Sequence, residues 1–156
     1  MPAPTSVLVV TDRIAVSPEL CEAIRARAAQ TPIEVRLLVP NPSPAEWHPG
    51  HPERHVKAEA AQSVLERTLP GIREAAGTPV DGFVSTRHDP MDAIEETLTA
   101  GNFHEIILSS PPHHMSSLLH ADLPHRVAHL GMPLTTVTAT ARPALQGGTR
   151  PRTSET

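Results

Sequence analysis

Short apolar runs alternate along this chain with longer segments whose apolar residues recur every three or four positions. The runs are 7–10 (VLVV), 35–39 with Arg36 interrupting, 80–84 through Val80, Phe83 and Val84, 106–108, and 134–137. Runs this short and this rich in branched side chains predict strands covered on both faces. After the first run, Leu20, Ile24 and Ala28 stand four residues apart. Further on Val56, Ala60, Val64 and Thr68 do the same, flanked by Ala61, Leu65 and Leu69. Each set lays one apolar stripe along a helix. A third helix is expected to carry Met91, Ile94 and Leu98 on one side, and a fourth to run through Val127 and Leu130 to Gly131.

Cap signals agree with this division. Ser17 before Pro18 and Asp89 before Pro90 each place a side-chain acceptor ahead of a proline at the first helical position. Asp122 fills the same place in the fourth helix, where Pro124 is tolerated in a first turn. Gly101 reads as a left-handed residue closing the third helix, and Pro70 with Gly71 should end or kink the second, leaving 72–76 as a short continuation. The order is β-α-β-α-β-α-β-α-β, which implies parallel strands joined by right-handed crossovers: an α/β fold, a three-layer α/β/α sandwich. Residues 140–156 lack periodicity and contain two adjacent glycines and two prolines, so they are expected to form a disordered tail. No internal repeat is visible.

Composition narrows the function classes. The chain has 156 residues, 38% hydrophobic and 19% charged, enough for one domain with one core. No apolar run approaches the roughly 20 residues that span a bilayer, so no membrane role is expected. The start MPAPTS lacks the basic and apolar regions of a secretion signal, and a cytoplasmic location is expected. Cys21 is a lone cysteine, read as a small buried side chain. With no Tyr, two Phe and one Trp, and with basic residues not pooled, nucleic acid is not an expected partner.

In an open parallel sheet, ligands bind beyond the carboxyl ends of the strands, near the point where strand order reverses. Four loops meet that condition: 11–16, 40–52, 86–89 and 109–117. Six of the ten histidines, His48, His51, His55, His88, His113 and His114, lie in these loops or at the helix start after one. Asp12 follows the first strand, where its carboxylate could accept from a sugar or an exocyclic amine, or could simply bond its own turn. Ser109, Ser110, Ser116 and Ser117 offer hydroxyls to an anion, and local cap chemistry accounts for them equally well. After the fourth strand comes SSPPHHM, where a phosphate-binding turn would carry glycines. Pro111 and Pro112 bring no N–H to such a turn.

These residues resemble the universal stress protein family over about residues 5–139. VLVVTD at 7–12 looks like the family's first strand ending in aspartate. HDPMDAIEETL at 88–98 resembles the start of its third helix, with His88 in place of a glycine. Residues 105–110 and the later Met132, Pro133 and Leu134 are similar to its fourth and last strands. The resemblance implies a universal stress protein-like domain over 5–139. It also implies a Rossmann-like, adenine nucleotide alpha hydrolase-like five-stranded parallel sheet in the order 3-2-1-4-5. Members that bind ATP carry G-x-x-G, nine residues, then G-[ST]; the matching positions here are Ser109, Pro112, Asp122 and Leu123, so all three glycines are missing. What carries over by resemblance is Asp12 and the strand end at Val39, on the ribose and adenine sides of a nucleotide. A homodimer through the last strands is implied as well, and residues 134–138 (LTTVT) supply a β-prone edge for it.

The resulting expectation is a non-enzymatic small-molecule-binding module, stress-related and homodimeric, that does not hold ATP in the usual family manner. Its ligand-binding set is Asp12, Val39, Ser109, Ser110, His113, His114, Ser116 and Ser117, with no catalytic residue and no metal ligand assigned. The expected ligand is a small anion or a nucleotide such as AMP or ATP, with no tightly held cofactor. An enzyme, for example a nucleotide hydrolase with His113 or His114 as general base, stays open as a less favoured alternative, and so do two non-enzymatic readings. One is a histidine-rich metal-responsive protein in which His48, His51 and His55 meet His113 and His114. The other is a ligand-free dimeric scaffold for a partner protein, docked through the proline-rich loop 40–52 around Trp47. His125 and His129, four apart on a helix, could also bind metal, but an exposed helix face is the preferred reading.

Overall fold

In the computed structural model, residues 3–11, 17–40, 53–85, 87, 89–110 and 122–138 are described. Five strands and four helices alternate. They are β1 (Thr5–Val10), α1 (Pro18–Gln30), β2 (Ile33–Val39), α2 (Glu53–Ala76), β3 (Val80–Val84), α3 (Pro90–Ala100), β4 (Glu105–Ser110), α4 (Leu123–Ala128) and β5 (Leu134–Thr138). All pairings are parallel, and the sheet order is β3-β2-β1-β4-β5. The alternation of apolar runs and helical stripes translates directly into this order. The expected tail at 140–156 lies outside the described residues.

Strand alternation divides the core in two. Val7, Val9, Leu37 and Ile107 point to one face, where Leu20 and Ile24 of α1 and Ala61, Leu65 and Ile72 of α2 cover them. Leu8, Val10, Leu38, Ile106 and Leu108 point to the other, against Met91 and Ile94 of α3 and Val127 of α4. Val7, Leu8 and Val9 are wholly inaccessible, as a strand paired on both edges and covered on both faces must be. The α3–α4 layer is narrower, and it leaves Glu34 and Arg36 of β2 exposed.

Two expectations about helix ends need correction. Helix α2 is continuous through Pro70. The missing N–H there removes one backbone bond, and Ile72, Ala75 and Ala76 beyond it stay on the core through burial. Gly101 ends α3 in an extended conformation, φ -126°, so left-handed freedom is not why a glycine stands there. A Cβ at 101 would lie 2.5 Å from Cε2 of Phe103, whose ring folds back over the helix end. The positive φ angles belong to Gly77 and Gly131. Cys21 of α1 is buried against α2, and desolvation raises its thiol pKa, consistent with an inert packing residue.

Leu37→Ala should lower unfolding free energy by about 2–5 kcal/mol, the cost of a buried leucine and its cavity. Gly101→Ala should cost less, about 1–3 kcal/mol, because the Phe103 ring can shift to relieve the overlap. Urea denaturation followed by far-ultraviolet circular dichroism measures both.

Candidate functional site

Each helix follows its strand at the carboxyl edge, so the amino ends of the helices converge there, presenting N–H groups and positive dipole ends. Strand order reverses between β1 and β4, the two central partners. The crevice of a doubly wound sheet therefore opens above the ends of these two strands.

At its floor stand polar groups with little exposure. Thr11, just beyond β1, is 2% exposed, and its N–H donates to the Leu38 carbonyl at 3.2 Å. Val39 is buried at the end of β2, its carbonyl accepting from the Ser85 N–H at 3.0 Å. Ser109 is 4% exposed, and its Oγ has no hydrogen-bond partner among the described residues. Alternation puts this hydroxyl on the Ile107 face, toward the α1–α2 layer. A buried hydroxyl without a partner is costly and uncommon, and one at the end of the strand bordering the switch point marks a place that lacks an acceptor or donor. Ser110, the next residue, is half-buried.

The helix starts around the rim differ from one another. Ser17 Oγ accepts from the Leu20 N–H at 3.1 Å, and Asp89 Oδ1 accepts from the Met91 N–H at 2.8 Å, so both caps are as the sequence implies. Asp122 occupies the N-cap position of α4 but makes no side-chain capping bond. Its backbone is in the right-handed helical region rather than extended, and Pro124 at the second helical position has no N–H to offer. An exposed carboxylate thus remains at the start of α4, opposing any anion placed there. Arg126 stands beside these caps, its Nη1 3.5 Å from Asp89 Oδ2. Arg87 pairs with Glu96 at 2.7 Å; that hydrogen bond raises the guanidinium pKa and lowers the carboxyl one.

Of the expected ligand set, Val39 ends β2 and Ser109 and Ser110 end β4 at this edge, with β1 between the two strands. Asp12, His113, His114, Ser116 and Ser117 lie outside the described residues, as do Pro112 and the loop 41–52. Asp122 and Leu123, matched to the last two positions of the ATP pattern, open helix α4. Among the described residues, no three His, Cys, Asp or Glu side chains converge on a metal-sized space. Two recesses lie on the β2–β3 side instead. One, of about 330 Å³, runs between Phe83, Val84 and Ser85 and helix α3; the other, of about 290 Å³, is at the amino end of the sheet beside Ser6, Asp81 and Phe103. Neither is at the switch point.

What the sequence could not show is the isolation of the Ser109 hydroxyl, because burial and partner geometry are tertiary properties.

Solved structures supply the comparison. The fold is that of the universal stress proteins. A universal stress protein from Archaeoglobus fulgidus in complex with dAMP is 14% identical, with a TM-score of 0.56 over 85% of this chain and 97% of that one. A universal stress protein in complex with cAMP is 16% identical, with a TM-score of 0.60 over 89% and 100%. An Arabidopsis thaliana universal stress protein family protein with AMP bound is 18% identical, with a TM-score of 0.55 over 88% and 94%. No protein-family model and no curated protein matches the chain. Among the described residues, no helix is long and apolar enough to cross a membrane.

Ser109→Ala should leave the ligand-free protein as stable as the parent or more so, by up to about 1 kcal/mol, because it removes an unpartnered buried hydroxyl. A denaturation midpoint that falls would show that the hydroxyl is satisfied in solution.

Proposed function

We propose that this chain is a universal stress protein-like small-molecule-binding module, without enzymatic activity, that takes a nucleoside or nucleoside monophosphate above β1 and β4. The observation that carries the reading is the buried, unpartnered Ser109 hydroxyl at the strand end beside the switch point. The fold neighbours add support, since they hold dAMP, cAMP and AMP at 14–18% identity. In this reading Asp12 and the Val39 strand end meet the ribose and adenine. Ser109, Ser110, Ser116 and Ser117 meet the polar remainder, with His113 and His114 lining the way in.

A triphosphate fits this edge poorly. Pro111 and Pro112 supply no N–H, and Asp122 opposes an anion where the family's ATP pattern has glycine. The chain is therefore a divergent member in its phosphate grip. Isothermal titration should give binding of AMP or cAMP at least as tight as that of ATP, weakened at least tenfold by Asp12→Ala and measurably by Ser109→Ala. At a hundredfold excess over Kd the ligand should stabilise the fold by about 2.7 kcal/mol, seen as a raised Tm. Absence of heat and of any Tm shift with all three nucleotides at millimolar concentration would remove the nucleotide reading. ATP binding tenfold tighter than AMP would remove the divergent grip.

A homodimer through β5 belongs to the same proposal. Among the described residues this strand pairs only with β4, and Thr135, Thr136 and Thr138 are exposed along it, which leaves its outer backbone row without a partner among them. Thr135→Asp combined with Thr136→Asp should shift the light-scattering mass from twice 16.7 kDa to 16.7 kDa. A parent that already scatters as one chain would dismiss the dimer.

A further inference from the structure

Away from the switch point, helix α4 brings two imidazoles together. Val127 is 1% exposed and docks α4 on the core beside Leu123 and Leu130, which turns His125, Arg126, Ala128 and His129 outward. His129 caps the helix while keeping helical dihedrals, φ -72° and ψ -11°, and its N–H reaches the Arg126 and Val127 carbonyls. The backbone thus continues the helical path far enough to stack His129 one turn beyond His125. The rings meet edge to face, with centroids 4.8 Å apart and planes at 87°, and the two Nε2 atoms are 3.3 Å apart.

That separation has a chemical meaning. Two nitrogens that each bind a zinc ion at 2.0–2.1 Å with a tetrahedral angle between them are about 3.3–3.4 Å apart. Both distal nitrogens are already separated by the bite of a chelate, on one helix and its cap. Without a metal the same separation is met by one Nε2–H donating to the other Nε2 lone pair, so a divalent ion takes the place of one shared proton. Both rings are exposed, which leaves the remaining coordination positions to water.

The charges nearby permit a cation. Asp122, exposed and without a capping bond, stands three residues before His125 and seven before His129, on the same stripe of the helix. Arg126 is the opposing charge, and its guanidinium turns to Asp89.

We propose that His125 and His129 form a two-imidazole chelate for a borderline divalent transition-metal ion such as Zn²⁺ or Cu²⁺, an exchangeable site with water completing the shell. Imidazole pairs suit these ions, whereas oxygen-loving Mg²⁺ and Ca²⁺ should not compete. With two protein ligands the site is distinct from a closed four-ligand structural zinc centre. It also differs from the rim histidines at 48, 51, 55, 113 and 114.

The test uses the full, metal-stripped chain and a second chain in which those five rim histidines are glutamine. Titration with ZnCl2 and CuCl2 should give one equivalent in the second chain, and His125→Gln or His129→Gln introduced there should weaken it at least tenfold. The Cu²⁺ complex should show electron paramagnetic resonance couplings to two imidazole nitrogens. Ring ¹⁵N spectra of the unsubstituted protein give a reading independent of the short helix's tolerance of substitution: Zn²⁺ should shift the Nε2 resonances of His125 and His129. Wild-type affinity in the His125→Gln/His129→Gln chain, or unmoved resonances for these two rings, would overturn the proposal.

Discussion

Everything in this molecule is arranged about β1. Its backbone is paired with β2 on one side and β4 on the other, and its side chains enter both halves of the core, so Val7, Leu8 and Val9 have no contact with water. A strand in that position leaves the flanking helices one way to return, by right-handed crossovers that cover the two faces. The chain accordingly lays β2 and β3 to one side and β4 and β5 to the other. The reversal at β1 is thus both the centre of stability and the origin of the crevice.

The direction of the strands has an electrostatic result. Every helix begins at the carboxyl edge, where Ser17 and Asp89 close their helices and Asp122 does not. Among the described residues, the edge combines oriented N–H groups with the exposed carboxylate of Asp122. The Ser109 hydroxyl belongs to the same picture. Among the described residues, nothing supplies it with a partner.

Helix α4 shows a different use of the same packing. It has only six residues, too few to persist alone in water. Burial of Val127 holds it on the sheet, and with that face anchored the opposite face is rigid enough to keep two imidazoles at chelating distance. The apolar contact and the exposed histidine pair are two faces of one structural element.

The strands, the helices, their order and two of the caps were legible in the chain because they rest on local physics. Apolar runs such as 7–10 demand double-sided cover, a four-residue stripe such as Leu20 and Ile24 demands a helix, and Ser17-Pro18 and Asp89-Pro90 mark helix starts. Residues 109, 110 and 39 could be assigned to one edge from the parallel order alone. Local rules misjudged Gly101, where the ring of Phe103 two residues on is what excludes a side chain. They misjudged Pro70, where burial of Ile72 keeps the helix going, and Asp122, whose helical backbone turns the carboxylate away from capping. Only the tertiary structure could isolate the Ser109 hydroxyl and bring His125 and His129 to 3.3 Å. Hydrogen-bond satisfaction and ligand bite depend on distances set by the whole packed core, and spacing along a sequence does not contain them.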